Sequence, residues 1–289
     1  MKEKRSRINW HEGFVSAMKL DLMENADDLQ YSQEYYLPGR HQRIDLLIIK
    51  NENLVRIRNP IGTSFSKYNI CEYKSPNDSL TYGDFFKTLA YTGLFLDERE
   101  NHGNYKTSDY TMTFVKESHP YKLFRRLTVD GINITPTVPG IYSLENRLPF
   151  ATQVLVTSEI SDIECPWLRC LTKRGTRQNL ENIIAKTPTL TKSYKGEADT
   201  IMDIFTSANR TFVKYEKEND PDMCKAVNEL FADEINAMKA EIADKDSIIA
   251  GKDSLIADKD SLIADKDAII AQLQAKLDEY AKMAATQQS

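Results

Sequence analysis

The feature that most restricts this chain is an unbroken seven-residue repeat: Lys245-Asp-Ser-Ile-Ile-Ala-Gly, Lys252-Asp-Ser-Leu-Ile-Ala-Asp, Lys259-Asp-Ser-Leu-Ile-Ala-Asp, Lys266-Asp-Ala-Ile-Ile-Ala-Gln. Seven residues are close to two helical turns. On a helix the pairs Ile248/Ile249, Leu255/Ile256, Leu262/Ile263 and Ile269/Ile270 therefore fall on one slowly drifting stripe. After Phe231 the chain holds no Pro, Phe, Trp or Cys and a single Tyr, so nothing interrupts a long helix. Residues 233–289 read as a heptad-repeat coiled-coil tail, and roughly 50 helical residues span on the order of 75 Å. With Leu255 and Leu262 at d, Lys252 and Lys259 stand at a, with Ile256 and Ile263 at e. Lysine at a weakens a dimer seam, which leaves strand number and orientation open. The competing reading is a solvated helix grown by tandem expansion.

The tail also decides how the net charge of -5 is read. From Asp233 onward there are 12 acidic residues against 7 lysines, and the remainder balances at 31 of each sign. A neutral body has room for local basic patches: Lys2 to Arg7; Arg40, His41 and Arg43; Lys122, Arg125 and Arg126; Lys173, Arg174 and Arg177. Each is by default a solvated face rather than a phosphate contact.

At 28% charged over 289 residues, the chain has the make-up expected of a folded soluble protein. No run approaches the ~18 apolar residues of a membrane helix. Met1 to Arg7 is basic, but Asn9, His11 and Glu12 follow where a signal peptide needs apolar residues. Cys71, Cys165, Cys170 and Cys224 form no Cys-x-x-Cys pair, so a cytoplasmic protein with reduced thiols is expected. His11, His41, His102 and His119 lack metal-ligand spacing.

Helical spacing of Trp10, Phe14, Met18 and Leu22 predicts an amphipathic helix over Ile8 to Asn25. Strands are predicted at Gln30 to Leu37, Arg43 to Lys50 and Tyr68 to Lys74, with a further edge strand at Leu54 to Arg58. Ser75 to Ser79 supplies a stop and cap residues for a helix over Tyr82 to Leu96, and Tyr110 to Lys116 reads as a strand. Beyond Pro120 the signals weaken. They give a short basic helix at Tyr121 to Leu127, strands near Gly140 to Leu144 and Gln153 to Ser158, and helices at Asp162 to Leu171, Leu180 to Lys186 and Ala198 to Ala208. The expected fold is α/β, a mixed sheet flanked by helices. It divides into a core at 1–118, an α+β extension packed on it at 119–232, and the tail at 233–289.

Chemistry concentrates in two predicted strands. Asp45 opens an otherwise buried strand, where an unpaired carboxylate is costly. In Tyr68-Asn-Ile-Cys-Glu72-Tyr-Lys74 the period of two puts Glu72 and Lys74 on one face and Tyr73 on the other. If the strands are neighbours, Asp45, Glu72 and Lys74 converge. Two carboxylates there make a hard oxygen site for Mg²⁺, beside an amine able to hold or deprotonate water. The competing reading is a buried ion pair.

From Arg43 to Leu96 the chain is similar to the PD-(D/E)XK nuclease superfamily, and within it to uncharacterised bacterial proteins related to the recombination-promoting nuclease and transposase-like group. The stretches concerned are Arg-Ile-Asp-Leu-Leu-Ile-Ile, Tyr-Asn-Ile-Cys-Glu-Tyr-Lys-Ser-Pro-Asn-Asp-Ser-Leu and Phe-Phe-Lys-Thr-Leu-Ala-Tyr. Ile44 stands where the pattern has proline. The resemblance implies a restriction-endonuclease-like core and Mg²⁺ (with Mn²⁺ able to substitute) held by Asp45, Glu72 and the Tyr73 carbonyl. It implies Lys74 as the catalytic lysine and Glu12 as the acid of the first helix. Lys87 and Tyr91, four apart on one helix face, resemble the polar residues that family members bring from this helix to the site.

The leading functional expectation is therefore a Mg²⁺-dependent endonuclease with DNA as partner and self-association through the tail. The alternatives are a catalytically inactive nuclease-like module that binds nucleic acid or protein, and an oligomerisation scaffold built on the tail.

Overall fold

A computed structural model describes residues 8–37, 42–51, 53, 56–100, 106–230 and 232–286. Lys2 to Arg7, Arg40, His41, Leu54, Val55 and His102 lie outside the described residues. Two compact units divide between Val227 and Asn228.

The first unit is built on one mixed seven-stranded sheet. Helix α1 (Trp10–Asp21) leads into β1 (Leu29–Tyr36), β2 (Arg43–Lys50) and β3 (Tyr68–Lys74), then α2 (Tyr82–Glu100), β4 (Tyr110–Lys116) and α3 (Tyr121–Val129). Strands β5 (Asn133–Val138), β6 (Ile141–Glu145) and β7 (Ala151–Val156) follow. The sheet order is β1-β2-β3-β4-β7-β6-β5. Strands β3, β4 and β7 run parallel, and the other pairs are antiparallel. The boundary expected at 118/119 falls within this sheet, because β5 to β7 extend it from β4 rather than packing on it as a separate layer.

Alternation along β3 sends its two faces to different helices. Tyr73 stacks on Phe14 of α1, 4.7 Å between ring centroids, while Phe85 of α2 stacks at 5.3 Å on Phe114, the β4 partner of Glu72. Phe85, Phe95, Tyr110, Met112, Phe114 and Leu127 form the fully buried centre of the α2 side. The chain then adds α4 (Pro166–Arg169), α5 (Arg177–Lys186), α6 (Lys192–Ala208), α7 (Arg210–Asn219) and α8 (Pro221–Leu230), of which α4 and α6 pack on α1. Gly13 lets α6 approach closely, since a Cβ there would lie 2.4 Å from Ile204.

Several elements differ from expectation for identifiable reasons. The first helix stops at Asp21 because Met23–Asp28 tightens into a 3-10 stretch. Of the expected edge strand, Arg56 to Arg58 are not in a strand, and Ile57 is buried. Strand β5 was not anticipated because it contains Pro136; it is the outermost strand, where a missing N–H breaks no ladder. The helix expected over Asp162 to Leu171 reduces to Pro166–Arg169, since Pro166 takes the first-turn position that proline tolerates. None of the four cysteines is in a disulfide.

The second unit consists of the end of α8 and the long helix α9 (Ala232–Thr286). Its 55 residues span about 82 Å at ~1.5 Å per residue. The paired Ile and Leu side chains of the repeat are each 51–56% exposed. Among the described residues no helix is long and apolar enough to cross a membrane.

Candidate functional site

Strand register brings the two acids together. Leu46 faces Cys71 across the antiparallel β2–β3 pair, so one step further along Asp45 stands opposite Glu72. The Asp45 side chain is 13% exposed and that of Glu72 5%. The Tyr73 backbone N–H donates to Asp45 Oδ2 at 3.0 Å, which ties the carboxylate to the end of β3.

Lysines from two elements answer the charge. Lys74 Nζ lies 3.1 Å from Glu72 Oε1 and 2.8 Å from Asp84 Oδ1, and Lys87 Nζ donates to Glu72 Oε1 at 2.9 Å. Asp84 is itself fixed by the Thr81 N–H and hydroxyl, at 2.9 and 2.6 Å, before the start of α2. The Lys87 ammonium sits 5.7 Å from the Tyr91 ring centroid. Asp45, Glu72, Lys74, Lys87 and Tyr91, with His11 and Asp78, line an open cavity of 480 Å³.

The electrostatics follow from burial and pairing. Burial, and then the neighbouring Glu72, push the Asp45 carboxyl above its usual range, against the Tyr73 N–H, His11 and Lys87. Lys74 is drawn down by burial, but its bonds to Asp84 and Glu72 outweigh this and leave it raised. Burial pushes Asp84 up, yet Lys74 and Thr81 hold it below the usual carboxylate range.

The structure thus brings Asp45, Glu72, Tyr73, Lys74, Lys87 and Tyr91 to one cavity. Glu12 is not among the described residues that line it. It lies in the first turn of α1, where its carboxylate accepts a 2.9 Å hydrogen bond from the Asn9 side chain, the residue that caps the helix. The residue α1 contributes instead is His11, with Nδ1 3.8 Å from Asp45 Oδ2. His11 and Phe14 are three apart on one face of α1, and both meet Tyr73, a relation that the i, i+3 spacing offered. Asp84 was also missed; it lies one turn before Lys87 on α2.

Among the described residues no group of three or more His, Cys, Asp or Glu stands close enough to hold a metal. The donors that the family resemblance implies would be the Asp45 and Glu72 carboxylates and the Tyr73 carbonyl. That suits Mg²⁺, which binds through one or two carboxylates while keeping several waters, better than metals that need a full side-chain cage.

The chain matches no family model, no curated protein and no solved structure.

Proposed function

We propose that this chain is a metal-dependent endonuclease of the PD-(D/E)XK type, with a restriction-endonuclease-like core, that hydrolyses phosphodiester bonds in DNA. The observation that carries the proposal is the meeting of Asp45 and Glu72 across β2–β3, with Lys74 one step along the strand, at the wall of an open cavity. A structural ion pair needs one carboxylate and no cavity. Here two carboxylates share a cavity wall with two lysines.

In this reading Asp45, Glu72 and the Tyr73 carbonyl would hold Mg²⁺ or Mn²⁺, and the bound cation supplies charge stabilisation to the phosphate. Lys74, braced by Asp84, presents its ammonium beside Glu72 and can orient the attacking water and a phosphate oxygen. Lys87 shares the Glu72 carboxylate and offers a second donor to the phosphate. The test is nicking of supercoiled plasmid by purified protein with Mg²⁺, Mn²⁺, Ca²⁺ or EDTA. Nicking with Mg²⁺ or Mn²⁺ that EDTA abolishes supports the proposal. Inertness under every metal condition contradicts it and favours a binding module.

We further infer that the tail self-associates. Its half-exposed pairs recur every seven residues, and a stripe of that period is best covered by a helix of the same period. Lys252 and Lys259 beside the stripe weaken the seam, so the assembly is expected to depend on concentration.

A further inference from the structure

One series of basic residues on the body can be followed outward from the candidate site. The link begins at the loop after β3. Buried Lys116 donates to the carbonyls of Ser75 and Pro76 at 3.0 and 3.2 Å, and the Ser75 hydroxyl bonds Asp78 at 2.6 Å, so the loop that carries Asn77 is held against the sheet. Asp78 lines the cavity of Asp45 and Glu72, and Asn77 Oδ1, next to it in sequence, accepts a 2.7 Å hydrogen bond from Lys173.

Lys173 also lines a second groove, of 630 Å³, together with Arg210 and Thr211. Arg210 in turn lines a third, of 600 Å³, with Lys214 and Lys217. Spacings of four and three place Arg210, Lys214 and Lys217 on one face of α7, about 10 Å long. The three grooves therefore form a chain, joined through Asn77 and Lys173 and then through Arg210.

Of the acidic residues nearby, Glu181, Glu216, Asp220 and Glu117 are engaged by cations outside this series. Arg177, one of the cations that made this region look basic, is spent on Glu181, Glu216 and Asp220, so Glu216 and Asp220 are turned toward it. Glu117 is buried beneath the Thr172 hydroxyl and the Arg174 guanidinium, and Glu218 pairs with Lys214 at 3.6 Å. Lys173 and Arg210 are exposed.

We propose that the Lys173–Arg210–Lys214–Lys217 series is the phosphate track of the substrate, along which one DNA strand runs after leaving the Asp45–Glu72 cavity over Asn77. The inference rests on the nuclease reading and deepens it. At about 3.4 Å per phosphate along each strand, the face of α7 alone matches about three phosphates.

The test is fluorescence anisotropy of a labelled DNA duplex in Ca²⁺ over a salt series, with the full chain. K173E/R210E/K214E should weaken binding at least tenfold at about 0.1 M salt and flatten the slope of log K against log salt by about three, near one unit per lost contact. K173Q/R210Q/K214Q should fall between it and wild type, which separates charge from damage to the fold. K192E/K195E, at the opposite end of α6 and about 24 Å of helix away from Ala208, should bind within twofold of wild type. Unchanged affinity and slope in both track variants, with wild type binding and cleaving DNA, would overturn the track alone. The same holds if K192E/K195E weakens binding as much as they do. Wild type that neither binds nor cleaves DNA would overturn the nuclease reading and the track with it.

Discussion

Asp21 and Asp45 are both carboxylates withdrawn from water, one at the end of α1 and one at the β2–β3 edge, and their neighbours differ in kind. Asp21 accepts from the backbone N–H groups of Trp167 and Leu168, at 3.2 and 2.9 Å, and so anchors the start of α4 to α1. Burial pushes it up to about 8, against those two donors and the more distant Lys186. Asp45 has one backbone donor, a second carboxylate across the strand pair, a histidine, and two lysines on Glu72 beside it. A carboxylate whose oxygens are taken by peptide groups is an element of packing. Two carboxylates set against each other in an open cavity are, in the function proposed above, a place for an ion or a substrate to complete.

That contrast is broken or sharpened by exchange of side chains. The largest expected effect is a double dissociation. Asp45→Ala and Glu72→Ala should lower Mg²⁺-dependent nicking on the order of a thousandfold with little change in Tm. Asp21→Ala should cost about 2–4 kcal/mol by leaving two buried N–H groups unmatched, while the surviving folded protein still nicks. Urea melts and plasmid nicking on the same preparations measure both. Lys74→Ala should come next, keeping metal binding and losing about a hundredfold in rate, since only positioning is removed.

Third is the pH dependence of stability. With Asp21 raised to about 8 in the folded chain and near 3.8 unfolded, the folded state holds a proton that the unfolded state has lost between those values. Its contribution is full below about pH 4 and declines as pH rises toward 8, at up to about 1.4 kcal/mol per unit. Asp21→Asn should remove this slope, so the gap between variant and wild type should shift in the variant's favour with rising pH. A gap independent of pH would show that Asp21 is ionised when folded. The smallest effect is the tail's. Deleting Asp244 to Ser289 should lower the oligomeric state in light scattering and slow plasmid linearisation a few-fold more than first-strand nicking, because a second site is delivered less often.

How much of this was legible in the sequence depended on how local the signal is. Strands β2, β3 and β4 match their expected bounds, because runs such as Arg43 to Lys50 and Tyr68 to Lys74 are marked by their own apolar residues and by turn residues on either side. The period of two placed Glu72 with Lys74, and the guess that β2 neighbours β3 placed Asp45 with both. What was not legible depended on context. Pro136 hid β5, since only sheet order reveals an outermost strand, and nothing local to α1 marked His11 as the residue of this helix that lines the cavity. The basic patch at Lys173 to Arg177 looked uniform along the chain. Only the fold shows that Arg177 is tied to three acids and Lys173 to the site loop.

The central claim is that Asp45 and Glu72 together hold a divalent cation and that Asp21 does not. Thermal melts of wild type, Asp45→Ala/Glu72→Ala and Asp21→Asn over a Mn²⁺ series test it without reference to activity, because an ion that binds only the folded chain raises Tm with concentration. The account predicts a saturable rise for wild type and for Asp21→Asn, and none for the double variant. An equal rise in the double variant, or none in wild type, would contradict it.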